Sequence, residues 1–420
     1  MPTSAGDAKR SPDRSAPGAE RLSPAGLSAA DLSYVPTVLM LHQSAELYGS
    51  DRVALRLCEG LRAAGFQVVA LVPFDGPLVP SLRAAGAECH VGPVGKVARS
   101  DLTPVGVLVW SADLVKGLRA IRYALRGRRP DLVYSNTLAV IAGALWARLH
   151  GVKHVWHVHE ILPRPPLVQR LYSTALRLLA DKVVCNSTAT RRWILGTERA
   201  LGDRTAVVWN GVDEPPQQPF GSSARLRAEL GCGAGEILTV LVGRINGWKG
   251  QEVLVDAADR LWASGKRHLR FAIVGGPPPG QREHLERLLD RIARSPARPA
   301  IRLLEFTDDP TAVWEACDVA VVPSTAPEPF GLVAVEAMAA GKPVVAAAHG
   351  GLLDIVEDGN TGLLVPPGDA AALAGALSRL ADDEGLRRRM GDAGRERQRR
   401  LFTADEQKRQ IGLICRSMVQ

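Results

Sequence analysis

Two carboxylates with seven residues between them, Glu328 and Glu336, stand in the segment PSTAPEPFGLVAVEAMAAGKPVVAAAHGGLLDIVEDGNTGLLVPP, residues 323–367. At 3.6 residues per turn that separation is just over two turns, so a helix beginning near Phe330 carries Glu336 and leaves Glu328 in the loop before it. The pair can then address two parts of one ligand. The start of the helix, Phe330-Gly331-Leu332, would present free backbone N–H groups and the positive end of a dipole, which suits an anion. A second group lies in VGRINGWKGQEVLVDA, where Gly243 and Arg244 leave an apolar run and Lys249-Gly250 opens a helical one. Arg offers phosphate oxygens a planar fork and Lys a compact charge, so the two suit a phosphate-bearing ligand.

Other candidates are weaker. Gly49-Ser50, in HQSAELYGSDRVALRL, lets backbone approach a ligand before a helix begins, although an ordinary turn explains a lone glycine equally well. In VWHVHEI, side-chain alternation puts His157 and His159 on one strand face, with Glu160 next. A metal site would need a third ligand at sensible spacing, and none accompanies them. Asn186-Ser187 could face a cleft or cap a helix. Asn210-Gly211-Val212-Asp213 reads as a turn or hinge, and His349-Gly350-Gly351 precedes a short helix.

The elements that position these residues come in two sets. VPTVLMLHQ, FQVVALVP, DLVYSN, KHVWHVH, DKVVCNS and RTAVVWNG are strand-like and alternate with amphipathic helical stretches. The rhythm restarts with EILTVLVGR, LRFAIVGG, IRLLEF, DVAVVPS, PVVAAA and GLLVPP. That is the mark of parallel sheets with crossover helices, so the fold class is α/β with two Rossmann-like parallel-sheet domains facing across a cleft. Between the sets, NGVDEPPQQPFGSS loses the period as Pro and Gly density rises. The expected organisation is a disordered leader over 1–34, a first Rossmann-like domain over 35–213 and a second over 214–400. A C-terminal helix over 401–420 packs back toward the first domain. Ligands of such sheets bind beyond the carboxyl ends of the strands, where Gly49, His159, Arg244 and Glu328 all fall.

From about residue 37 to the C-terminal helix the chain resembles the retaining family 4 glycosyltransferases of GT-B architecture. Glu328 and Glu336 match that family's Glu-x7-Glu motif, and Arg244 with Lys249 matches its diphosphate clamp. The resemblance implies a hexosyltransferase in which Glu328 contacts the donor sugar, Glu336 the ribose hydroxyls, and the Phe330-Gly331-Leu332 backbone the sugar or diphosphate. His159 aligns best with the family's histidine at the sugar site, with His157 the competing choice. Many members have Gly-Gly where this chain has Gly49-Ser50, on the acceptor or diphosphate side. The family's usual front-face displacement needs no covalent nucleophile and generally no metal, so no cofactor is expected.

Composition bounds the rest. The 420 residues, 46% hydrophobic, suffice for two cores, and the six cysteines have no metal-type spacing, which suits reduced, buried thiols. The net charge of +8 is uneven: residues 35–213 carry 22 Lys plus Arg against 13 Asp plus Glu, whereas 214–420 carry 26 against 27. Lys116, Arg119, Arg122 and Arg126 are spaced three, three and four apart, gathering on one helical face. Such a face suits peripheral contact with anionic lipid and access to a lipid-linked acceptor, or is simply solvated. No run is long enough to span a bilayer, so a cytoplasmic location, with or without contact at the inner membrane face, is expected. Aromatic residues do not interleave with the cations, which argues against nucleic acid. There is no Gly-x-Gly-x-x-Gly after the first strand, which argues against a dinucleotide oxidoreductase. A nucleotide-sugar epimerase, a scaffold subunit that binds nucleotide sugar without turnover, and transfer to a small secondary metabolite are the competing readings.

Overall fold

The computed structural model describes residues 34–97, 104–162, 166–216, 222–278, 280–307 and 310–420. Apart from Tyr34, the expected leader lies outside the described residues, as do residues 217–221 of the expected linker. Pro36–Gln420 forms one compact unit.

That unit is built on two sheets. The first holds β1 (Thr37–His42), β2 (Gln67–Val72), β3 (Glu88–Val91), β4 (Leu132–Asn136), β5 (Lys153–Val158), β6 (Lys182–Cys185) and β7 (Thr205–Val207). The second holds β8 (Ile237–Val242), β9 (Leu269–Val274), β10 (Ile301–Leu304), β11 (Val319–Val322), β12 (Val344–Ala347) and β13 (Gly362–Val365). Their orders are β3-β2-β1-β4-β5-β6-β7 and β10-β9-β8-β11-β12-β13, and the neighbours are parallel throughout. Around the first sheet lie α1 (Gly49–Ala63), α2 (Leu78–Ala84), α3 (Pro104–Leu125), α4 (Ala142–His150), α5 (Pro166–Leu179) and α6 (Thr188–Thr197). The second half carries α7 (Ser222–Glu229), α8 (Gln251–Ala263), α9 (Arg282–Ala293), α10 (Thr311–Ala316), α11 (Leu332–Ala339), α12 (Leu352–Ile355), α13 (Ala370–Asp382) and α14 (Glu384–Leu401); α15 (Ala404–Val419) ends the chain.

Helices on both faces leave the central strands no wet side, which is why β1 and β8 read as continuous Val/Leu runs instead of alternating ones. Each sheet therefore has two cores. Met40 and Leu57 lie in one core of the first sheet and Leu41 and Trp146 in the other. In the second, Val240 and Met338 lie on one side and Leu241 and Leu254 on the other. The six cysteines are buried and free. Twelve of the strands were legible as apolar runs. The exception, β3, is an edge strand whose Glu88 and His90 side chains bond each other at 3.0 Å, while Glu88 also takes Arg128 at 2.6 Å, so polar residues mask it.

The chain crosses back at its end. Val212 bridges to Thr403, and a Cβ on Gly211 would stand 2.0 Å from the Thr403 carbonyl oxygen, so that crossing requires glycine. The final helix α15 then lies against α1: Arg416 Nε donates to the Ala64 carbonyl at 2.6 Å, and a Cβ on Gly60 would stand 2.8 Å from the Lys408 carbonyl oxygen. In both sheets the strand order reverses beside the first strand, at β1/β4 and at β8/β11. Crevices for ligands open at such points.

Candidate active site

The loops that leave these switch points meet in one cleft of about 310 Å³. Gly49, Ser50 and Arg52 reach it from the first half, and Gly243, Arg244, Lys249, Leu332 and Glu336 from the second. Two helix starts face each other there, since a Cβ on Gly49 would be 3.8 Å from Leu332 Cδ2. Each start is built locally. Asp51 Oδ2 accepts the Tyr48 N–H at 3.0 Å and fixes the entry to α1, while Gly331 at φ 109 turns the chain into α11. That helix begins at Leu332, two residues later than the spacing indicated, and still carries Glu336 in its second turn.

In the second half, Asn246 Oδ1 accepts the N–H groups of Trp248 and Lys249 at 3.1 and 3.0 Å, which coils the loop after β8. Gly250 at φ 79 then enters α8, with its Cα hydrogen where a Cβ would stand 2.0 Å from the Pro323 carbonyl oxygen. This contact joins the two candidate motifs. Lys249 Nζ lies 2.7 Å from Glu328 Oε1, which also accepts the Ser324 hydroxyl at 2.6 Å. The Glu328 side chain is 4% exposed and that of Lys249 19%. The Glu328 backbone is wrapped by the His349-Gly350-Gly351 loop: Gly351 N–H donates to its carbonyl at 2.7 Å, and His349 Nε2 reaches the Ser324 carbonyl at 2.8 Å. Arg244 reaches across the cleft, its guanidinium carbon 4.2 Å from the centre of the Tyr48 ring, and Tyr48 packs against Phe306 at 5.1 Å. Burial pushes the Glu336 carboxyl above its ordinary pKa, and the charges of Arg52 and Arg56 only partly offset this.

The candidate histidines end β5 beside the first switch point. His159 Nε2 bonds Asn136 Oδ1 at 2.7 Å, and its ring lies 3.9 Å from that of His157. Burial, with His157 and His42 close by, holds the His159 pKa well below its ordinary value. His157 is fully buried, its Nδ1 2.9 Å from the Tyr134 hydroxyl, and burial lowers its pKa to about 3. The acceptor-side contact expected of His157 is therefore not open in this conformation: the ring supports His159 from below. Glu160 Oε2 accepts the N–H groups of Leu138 and His159, and burial raises its pKa to about 7.

Phe330 places its side chain in the core, 6.1 Å from the Phe402 ring, which leaves only its backbone for a ligand. Ser187 caps α6 by accepting the Thr190 N–H at 3.0 Å, so capping is the role seen there. Several neighbours went unrecognised in the sequence, Asp51, His42 and Arg52 among them. Asn136 ends the run DLVYSN and Ser324 precedes Glu328 by four residues, so the strand-end rule could have found both. Tyr48 sits next to Gly49, but Phe306 has no local signal. Among the described residues no group of three or more metal-type side chains forms a cation site, and no helix is long and apolar enough to cross a membrane.

With this geometry, likeness to known proteins becomes informative. The description Glycosyltransferase Family 4 matches residues 47–214, and Glycosyl transferases group 1 matches residues 222–397. A D-inositol 3-phosphate glycosyltransferase of Kribbella flavida is 35% identical over 346 residues, 77% of this chain and 78% of that protein. The chain belongs to glycosyltransferase family 4. A family relative of the same name from Nocardia farcinica is 40% identical over 222 residues, a match that spans 50% of this chain and 47% of that protein. Among solved structures, Anabaena Alr3699/HepE in complex with UDP and glucose superposes with a TM-score of 0.78 at 26% identity, over 91% of this chain and all of that one. The two-sheet architecture is thus the GT-B fold, and the family's matched regions divide where the two sheets do.

Proposed function

We propose that this chain is a retaining glycosyltransferase that moves a sugar from a nucleotide-sugar donor to a hydroxyl acceptor. What supports the reading most is the meeting of Arg244, Lys249 and Glu336 beside facing helix starts in one cleft, with Glu328 paired to Lys249. In such a transfer the bond from the anomeric carbon to the diphosphate breaks and a bond to the acceptor oxygen forms. The acceptor proton passes to an oxygen of the departing diphosphate. Negative charge grows on that leaving group, and Arg244, Lys249 and the start of α11 are placed to neutralise it without reorganising. Glu328, held by Lys249 and Ser324, orients the sugar; Glu336 takes ribose hydroxyls; His159 borders the sugar. Two fixed cations supply what a metal would, so turnover proceeds without one.

The acceptor belongs to a lipid-linked or polysaccharide precursor. Lys116, Arg119 and Arg122 are exposed along α3, whereas Arg126, expected on the same face, lies past the end of the helix at φ 49; Val115, Tyr123 and Leu149 stand out beside them with 47%, 77% and 66% of their surface open. Cations interleaved with exposed apolar groups suit an anionic membrane surface.

The test begins with thermal stabilisation of the purified chain by UDP, GDP, ADP, dTDP and CMP sugars, since a ligand that binds only the folded state raises its midpoint. One sugar nucleotide is expected to shift it, and Arg244→Ala to abolish the shift. Transfer with that donor is then measured with and without EDTA. D-inositol 3-phosphate, carried in the relatives' names, heads the acceptor panel, followed by lipid-linked acceptors in anionic vesicles. The anomeric coupling constant of the product reports retention. No shift with any donor would sink the reading in favour of a non-catalytic chain.

A further inference from the structure

A row of buried hydrogen bonds runs from the start of α1 to the end of β5. His42 Nε2 lies 2.8 Å from Asp51 Oδ1, His42 Nδ1 lies 3.0 Å from Asn136 Nδ2, and Asn136 Oδ1 lies 2.7 Å from His159 Nε2. Asp51, His42 and Asn136 are at most 1% exposed, so water supplies no alternative partners. Strand register does the placing, because His42 is paired with Asn136 across β1 and β4, and Asn136 with His157 across β4 and β5.

With the Asn136 amide turned so that its NH2 faces His42 and its oxygen faces His159, the direction of each proton in this row follows; the Asn136 backbone carbonyl, 3.4 Å from His42 Nδ1, is too long to compete. A carboxylate only accepts, so His42 Nε2 carries hydrogen. The Asn136 NH2 only donates, so His42 Nδ1 is bare. The Asn136 amide oxygen only accepts, so His159 Nε2 carries hydrogen. Among the described residues His159 Nδ1 has no hydrogen bond, and the side chain is only half-buried. We propose that Asp51, His42 and Asn136 are positioning residues that hold His159 as the neutral tautomer protonated at Nε2, offering its bare Nδ1 to accept a hydrogen bond from a substrate hydroxyl. The identity of that hydroxyl as a sugar or acceptor group rests on the glycosyltransferase reading; the tautomer does not.

The row also ties His159 to the donor-like side. The second oxygen of Asp51 accepts the Tyr48 N–H, and Tyr48 carries the Arg244 guanidinium on its ring. One carboxylate thus orients the imidazole at one end of the cleft and the loop under the candidate phosphate-binding arginine at the other. The groups facing His159 are His157 on its own strand, His42 and Asn136 from the neighbouring strands, and Glu160, whose carboxyl takes the His159 backbone N–H. His157 keeps its Nδ1 on the Tyr134 hydroxyl and leaves its Nε2 buried without a hydrogen-bond partner, while one oxygen of Glu160 is taken up by backbone N–H groups.

The measurement is a long-range 1H–15N spectrum of the full chain labelled at its histidine ring nitrogens, with His159→Gln used to assign the signals. At neutral pH the His159 signals should show hydrogen on Nε2 and a bare Nδ1. Asn136→Asp replaces the amide with a carboxylate between the two rings, which should raise the His159 titration by about 1–3 pH units. The acid limb of kcat should move with it, while the midpoint shift produced by the donor persists. A carboxylate there raises the titration whatever the role of Asn136, so the acid limb of kcat is the readout that a purely structural Asn136 would leave unmoved. Hydrogen on Nδ1 in the unmodified chain overturns the proposal, as does a His159 titration that Asn136→Asp leaves unmoved. If that variant does not fold, the spectrum of the unmodified chain still decides. Because the spectrum is recorded without donor, a failure to bind any sugar nucleotide would refute the transferase reading and leave the tautomer assignment standing.

Discussion

Replacing Lys249 by Met should cost more than replacing Glu328 by Gln, although both substitutions remove the ion pair at the same 2.7 Å contact. Without the ammonium, the Glu328 carboxylate keeps only the Ser324 hydroxyl at 2.6 Å and is 4% exposed, so solvent barely reaches it. Removing one partner of a buried pair costs about 3–5 kcal/mol when the other charge is sealed in. Here Lys249 itself is 19% exposed, and water entering its vacated path lowers the cost to about 2–3 kcal/mol. Gln at 328 still accepts from Ser324 and from Lys249, whose partly open ammonium can hydrate, so that change costs about 1 kcal/mol. In the double variant both charges are gone and the cost should fall near that of Glu328→Gln alone, a coupling of about 2–3 kcal/mol. For a half of this size about 2–3 kcal/mol corresponds to a drop of about 4–12 °C in the unfolding midpoint. Trp248, whose ring centre is 4.6 Å from Lys249 Nζ, reports the local transition by fluorescence. Equal costs for the two single variants, or strict additivity in the double, would refute the assignment of Glu328 as a charge that depends on Lys249.

Burial raises Glu160 from an ordinary 4.5 to about 7, so the fold favours its protonated form. That stability is fully present below about pH 4.5 and is lost as pH rises toward 7, by on the order of 1–3 kcal/mol. Glu160→Gln keeps an oxygen for the Leu138 and His159 N–H groups and should flatten the dependence of midpoint on pH across this window. An unchanged slope would mean that the buried carboxyl does not control it. Two glycines of the second half should separate folding from binding. Gly250→Ala forces a Cβ within 2.0 Å of the Pro323 carbonyl at φ 79 and should lose at least about 3 kcal/mol, whereas Gly243→Ala meets nothing closer than Lys249 Cδ at 3.8 Å. The Gly243 variant should keep its midpoint within the scatter of surface substitutions and bind sugar nucleotide more weakly, as followed by ligand titration. Unaltered affinity would place the ligand away from the end of β8.

The family motifs and the repeated strand rhythm were readable because they depend on near neighbours. Glu328 and Glu336, or Arg244 and Lys249, acquire their relation from a single turn and helix start, and parallel strands buried on both faces announce themselves as apolar runs. The edge strand β3 escaped because its outward Glu88 and His90 are held by each other and by Arg128, forty residues away in sequence. His157 and His159 looked equivalent from their alternation. Only the packing of β4 beside β5 separates them, by giving the inner ring to Tyr134 and the outer one to Asn136.

The sequence by itself determined two α/β halves and the placement of the candidate groups at strand ends. Local periodicity and side-chain chemistry are enough for that. Only the tertiary structure decided that Lys249 pairs with Glu328 across 79 residues, that Arg244 rests on Tyr48 from the other half, and that Asp51 is linked to His159 through His42 and Asn136. Those contacts depend on strand order and register, which bring together residues far apart in the chain, and no pattern confined to one element carries that information.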